Sequence, residues 1–327
     1  MRSRVLISAS VVVAVALMAG WTVHSQQVPA KPAAAQAVTK AMWEGWMKNE
    51  NNWGRWGKDD QLGAMNLVTP AKSKQALALA KTGTVVSLAH KPVIIPKAKP
   101  DGISYLELKL NHLADAEFTI EDQQVAFHGA SFTHMDALCH GDYNGQTFNG
   151  YPLKDVIAEG GCKKLAIDNL AHGIVTRGIV IDIPHMRGLK VLPPETSVTV
   201  ADIEAFEKMA KLKIGPGDAI FLHTGRWSSS SDKHGGYDIS VAPWLKERGV
   251  SILSSDTIQD VSTIEGLTLP FHHYVLVALG INIIDNADLE KAAETARRLK
   301  RWEFMLTVLP VPVPGGSGFP VNPIAIF

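Results

Sequence analysis

Three histidines and one aspartate fall within thirteen residues of this chain, in the run Phe127-His128-Gly129-Ala130-Ser131-Phe132-Thr133-His134-Met135-Asp136-Ala137-Leu138-Cys139-His140. The spacing restricts the backbone. Side chains of an extended chain alternate between faces, so residues an even number apart share a face. His134, Asp136 and His140 stand at even offsets, as does His128, with Gly129 placed to bend the chain after it. On a helix, positions 134 and 136 would point to nearly opposite sides. The run therefore predicts donors along a strand and its exit loop. Mixed imidazole and carboxylate donors suit zinc, manganese or ferrous iron, whereas an all-oxygen set suits calcium or magnesium. A polar loop whose histidines only hydrogen-bond backbone would account for one histidine, and poorly for three in this register.

The 327 residues, 46% of them hydrophobic, suffice for one large core or two modest domains. With 32 basic and 32 acidic side chains, nothing in the charge favours nucleic acid or an anionic membrane as partner. Residues 1–25 read as an export signal: Arg2 and Arg4 precede a short apolar run, and Val23-His24-Ser25 offers a cleavage site. That run is shorter than a membrane span requires, which predicts an exported, periplasmic or secreted protein with no membrane association after cleavage. A retained anchor is the alternative. Residues 26–52 form a flexible leader and N-terminal arm, and residues 53–327 the remaining domain. Cys139 and Cys162 are the only cysteines. Oxidation can join them, but two are too few for a disulfide scaffold. At odd parity to the histidines, Cys139 is expected in packing.

Along the chain, Thr69-Pro70 supplies an N-cap and first-turn proline for a helix over 71–81. Branched runs at 178–183, 219–223, 250–253, 281–284 and 302–309 read as strands, alternating with helices at 199–213 and 288–300. Residues 105–113 and 117–127 are β-like segments feeding the histidine run. No linker follows about residue 60. The pattern predicts one compact α/β domain with a mixed, β-heavy sheet flanked by helices. In the proline-rich tail, Gly315-Gly316-Ser317-Gly318 has no strand after it and is not a phosphate loop. Arg177, at a strand entrance, suits either a substrate carboxylate or a structural ion pair. Trp56, Phe127 and Phe132 are candidates to stack an aromatic substrate, with core packing an equal reading.

Together with Trp56-Gly57-Lys58-Asp59-Asp60-Gln61-Leu62-Gly63, Gly173-Ile174-Val175-Thr176-Arg177-Gly178, Gly217-Asp218, Thr224-Gly225, Asp256-Thr257 and Asp285-Asn286, the histidine run resembles the metal-dependent cyclase family. That family includes bacterial kynurenine formamidases and isatin hydrolases, and the resemblance spans nearly all of the chain after about Asn52. It implies a compact α/β domain with a small barrel-like sheet, assembled as a homodimer or higher. It also implies metal-dependent hydrolysis of an amide or cyclic amide carbonyl in an arylformamide- or isatin-like small molecule. The family motif His-x-Gly-Thr-His-x-Asp-x-Pro-x-His makes His134 and Asp136 metal ligands and His140 the catalytic acid or base. Four residues before His134 stands Ala130, so His128 is left as candidate for the first ligand, and Leu138 replaces the proline.

Members with a second metal complete it with a histidine and a glutamate twelve residues later. Asp285 stands twelve after His273 and thirteen after His272. The resemblance thus allows one or two divalent ions, Zn2+ or Mn2+, per subunit. Such an ion lowers the pKa of a bound water from about 15.7 towards about 7. Three rivals stand beside hydrolysis: a lyase or ring-closing reaction at the same site, an exported non-catalytic protein binding the metal or a small molecule, and nucleophilic catalysis by Cys139.

Overall fold

Residues 37–92 and 104–327 are described by the computed structural model; the predicted signal and the first part of the leader lie outside them. Four runs rich in branched residues, Ile174–Asp182, Ala219–His223, Ile252–Ser255 and Asn282–Asp285, lie side by side as parallel strands. Nearly all of their side chains are buried, as parallel strands covered on both faces require. Glu303–Val308 pairs antiparallel with the first of them and is followed outward by Ile324–Ile326 and Val85–Ser87. At the other side His134–Asp136 pairs antiparallel with Asn282–Asp285, and Gly318–Pro320 pairs with His134–Asp136 in turn. The result is a nine-stranded mixed sheet, curled into a half-barrel and flanked by helices, the predicted α/β class.

Local chemistry explains the helices that cover it. The Thr69 hydroxyl accepts the Lys72 N–H ahead of Pro70–Leu77, with Pro70 in the first turn. Thr199 and Asp202 form a reciprocal capping box at Val200–Ala210. Among the described residues no helix is long and apolar enough to cross a membrane. The four parallel strands end on one edge, in Asp182, His223, Ser255 and Asp285, with Asp256 next in chain. The carboxyl ends of parallel strands are where α/β sheets leave a crevice.

Three expectations change. The glycine-rich tail does carry strands, Gly318–Pro320 and Ile324–Ile326. It can do so because Gly318 lets the backbones approach: a Cβ there would stand 2.5 Å from the Met135 carbonyl oxygen. Cys139 is joined to Cys162 by a disulfide, tying the turn Leu138–His140 to Gly161–Cys162; this leaves no thiolate for nucleophilic catalysis. For Arg177 the structure shows the ion-pair reading. Its Nε and Nη2 grip both oxygens of buried Asp218 at 2.8 and 2.6 Å, and Nη1 lies 3.0 Å from Glu303. That bidentate pair, joined by Lys72, is structural.

Candidate functional site

Strand parity places the donors. Met135 is fully buried in the core, and its neighbours His134 and Asp136 turn to the opposite face, also buried. His134 Nδ1 lies 2.9 Å from the Phe132 carbonyl oxygen; donating there leaves Nε2 bare. That Nε2 is 3.5 Å from Asp136 Oδ1 and 3.9 Å from Asp285 Oδ2. Gly129, at φ +132°, bends the chain so that His128 returns to the same place, its Nδ1 3.2 Å from Asp136 Oδ1. His128 Nε2 sits 3.2 Å from the Ser317 hydroxyl. Beyond the strand the chain closes into the 3-10 turn Leu138–His140, which sets the His140 ring flat on His128 with centroids 4.0 Å apart. Two groups of donor atoms result, His128 with Asp136 and His140, and His134 with Asp136 and Asp285.

The electrostatics follow from that crowding. Burial opposes the charge on Asp136, yet His140, His128 and His134 hold its carboxyl well below the usual carboxylate range. Burial and the three other imidazoles push His140 down and favour its neutral form, against the opposing pull of Asp136. His272 goes the other way: burial lowers it, but Asp285 and Asp260 raise it far above the ordinary value. Its Nδ1 is 2.5 Å from Asp260 Oδ2 and its Nε2 3.2 Å from Asp285 Oδ2, while Gln259 Nε2 donates to Asp285 Oδ1 at 2.9 Å.

The donor set itself tests the fit of a metal. Asp136 Oδ1 and His128 Nδ1 are buried and face each other without a hydrogen-bond partner. Their 3.2 Å separation is that of two atoms sharing one ion at bond lengths of about 2.0–2.1 Å. In the first group the imidazoles of His128 and His140 and the carboxylate of Asp136 come within 4.8 Å of one another, a set that fits a divalent ion. The second group offers one imidazole and two carboxylates, and the neighbouring His272 adds no donor because both its nitrogens are engaged by carboxylates.

Other candidates are sorted by the same geometry. Of the adjacent pair, His272 faces Asp285 and His273 turns out, its Nδ1 3.0 Å from the Leu269 carbonyl oxygen and its ring towards Tyr143. The intervening segment Tyr274–Leu279 is in π register, which accommodates one extra residue, so a spacing of thirteen delivers His272. Phe132 is buried and contributes its carbonyl. The ring against the donors is Phe127, 4.4 Å from His128 and 5.7 Å from His134. Trp56 packs on the core with Arg55 over its ring. His223 lies in a separate buried group, 2.9 Å from Asp182 and 3.4 Å from Glu290. Sequence reasoning missed Gln259, Asp260 and Ser317, which carry no local signal. Asn286 and Asp256 stood within matched landmarks but without a role.

The cyclase family model, described as "Putative cyclase", matches residues 84–259. A crystal structure of a novel cyclase is similar over 86% of this chain and 99% of its own, at 30% identity and a TM-score of 0.74. Isatin hydrolase A from Labrenzia aggregata, bound to benzyl benzoate, shares the fold over 78% of this chain and 98% of its own, at 17% identity and TM-score 0.55. For isatin hydrolase A from Ralstonia solanacearum the values are 77%, 95%, 20% and 0.51. No curated protein gives a significant match.

Proposed function

This chain belongs to the cyclase family, and we propose that it is a metal-dependent hydrolase of an amide or cyclic amide carbonyl, with arylformamide- or isatin-like compounds as its substrate class. The observation that carries the reading is the pair of buried, unpartnered donor atoms on His128 and Asp136, with His134 Nε2 beside them. Asp136 belongs to both donor groups, so around its carboxylate His128, His134 and Asp136 would hold Zn2+ or Mn2+. When bound, such an ion lowers the pKa of a coordinated water and polarises a carbonyl.

The chain's own residues do the rest. Asp136 keeps its negative charge because three imidazoles surround it. His134 presents Nε2 because the Phe132 carbonyl takes the proton on Nδ1. His140, neutral, with its ring packed on His128 and part of the residue reached by solvent, accepts a proton from the attacking water and returns it to the leaving nitrogen. Phe127, tilted over His128 and His134 and 6.3 Å from Phe319, offers an apolar wall for an aromatic ring. The imidazolium of His272, between Asp260 and Asp285, balances their charge.

The test is turnover of formanilide and isatin by purified protein, with and without a chelator, beside a His140→Ala variant. Ring opening or deformylation with water uptake, abolished by the chelator, supports hydrolysis. His140→Ala should keep the metal and lose about 100-fold or more in kcat. Unchanged turnover in that variant would remove His140 from the mechanism, and a metal-loaded protein inert to both compounds would overturn the substrate class.

A further inference from the structure

His128 reaches the donor cluster from an unusual distance along the chain, so something must hold the loop that carries it. Three carbonyl oxygens of that loop are captured by two side chains from elsewhere. Asn286 Nδ2 donates to Gly129 O at 2.7 Å and to Phe132 O at 3.1 Å. Arg226 Nη2 donates to Ala130 O at 3.2 Å, and its Nη1 to Asn286 Oδ1 at 2.7 Å, joining the two clamps. The Asn286 backbone takes part as well, its carbonyl accepting the Thr133 hydroxyl at 2.7 Å.

Both clamping residues are themselves fixed. Asn286 is fully buried, at φ +56°, a left-handed conformation that asparagine tolerates better than most side chains. It follows Asp285 directly, and its N–H donates to Thr257 O at 3.0 Å. The Arg226 N–H is held by Asp256 Oδ2 at 3.2 Å, and its guanidinium lies over the Trp227 ring at 4.6 Å. Trp227 in turn donates its indole N–H to Ala287 O at 2.8 Å. Phe132 O receives both the Asn286 amide and His134 Nδ1, so one clamp reaches two donors of the cluster.

We propose that Asn286 and Arg226 are positioning residues that set the loop 129–132, and through it His128 and the His134 tautomer, in the geometry a metal requires. This rests on the metal reading above. It assigns a purpose to the Thr224-Gly225-Arg226 and Asp285-Asn286 stretches: the first brings the guanidinium fork to the loop, the second sets the carboxamide beside the donor strand.

The test is cobalt(II) affinity, measured by chelator competition with the Co(II) absorption spectrum as a second readout, on wild type, His128→Ala, Arg226→Lys, Asn286→Ala and Arg226→Lys/His128→Ala. Lysine keeps the charge but replaces the planar fork that reaches both Ala130 and Asn286 with a single compact ammonium. Arg226→Lys and Asn286→Ala should each weaken Co(II) binding about 10–100-fold, the usual cost of losing outer support for ligands. Their spectra should change as the His128→Ala spectrum does. In the His128→Ala background, Arg226→Lys should cost clearly less than it does in wild type, because the part of its effect that passes through that ligand is already lost. Full additivity of the two changes, or wild-type affinity and spectrum in both single variants, would overturn the proposal. If Asn286→Ala fails to fold, Arg226→Lys decides alone. Should His128→Ala bind Co(II) as wild type does, the metal reading fails instead, and the positioning role with it.

Discussion

Opening the Cys139–Cys162 disulfide should lower stability and disturb His140 without emptying the metal site. The bridge spans a sequence separation of 23. Closing a loop of that length removes about 11 cal/mol/K from the unfolded chain, or about 3.4 kcal/mol at 25 °C. For a chain of this size about 1.7 °C of Tm corresponds to each kcal/mol, which gives a drop of about 6 °C. The functional consequence follows from where the bridge is attached. His134 and Asp136 lie on a strand paired on both sides, so their positions do not depend on it. His140 sits in the short turn next to Cys139, held by its own N–H to Ala137 O at 3.0 Å and by stacking on His128. Cys162→Ala, and wild type in reductant, should therefore melt about 6 °C lower, keep their metal content, and lose about tenfold in kcat as His140 drifts. The assay is calorimetry of oxidised, reduced and Cys162→Ala protein, with elemental analysis and turnover on the same samples. A Tm unchanged within 1 °C would refute the loop argument, and metal loss on reduction would refute the separation of strand from turn.

Three further outcomes are expected. Burial lowers the His223 pKa, but the hydrogen bond to Asp182, the Glu290 carboxylate 3.4 Å from Nε2 and the charge of Asp256 raise it to about 10. Because the folded value is the higher one, its stabilisation is complete below about pH 6.5 and lost as pH rises through about 10. Urea titrations from pH 6 to 10 should show a decline of a few kcal/mol that His223→Asn flattens; equal slopes would exclude His223 as the source. Arg177→Ala should cost about 3 kcal/mol by weakening the compensation of buried Asp218, while KM stays unchanged; a raised KM would return Arg177 to the substrate. Gly318→Ala would put a methyl 2.5 Å from Met135 O and 3.3 Å from His128 Cε1, so metal affinity should fall about tenfold or more on equilibrium dialysis, and unaltered affinity would show the edge strand to be tolerant.

How much of this was legible depended on how local the cause was. The period of two placed His134 and Asp136 on one face, and Thr69-Pro70 announced a helix start, because each pattern acts within a few residues. His128 could be named as a substitute ligand but not confirmed, since its arrival depends on the left-handed φ of Gly129 and on Asn286 and Arg226 far along the chain. The choice between His272 and His273 hinged on a π-helical segment, which apolar periodicity does not reveal. Arg177 found its partner at Asp218, forty-one residues on, at the start of the neighbouring strand. The strands at Gly318–Pro320 and Ile324–Ile326 are three residues each; pairing with distant segments, not intrinsic preference, makes them.

The central claim is that His128, His134 and Asp136 together hold one divalent ion. Elemental analysis of the purified protein, after loading with zinc or manganese and removal of excess, tests it most directly. The account predicts about one ion per subunit in wild type and loss of it in Asp136→Asn. No bound metal in the loaded wild-type protein, or a full equivalent retained by Asp136→Asn, would contradict it.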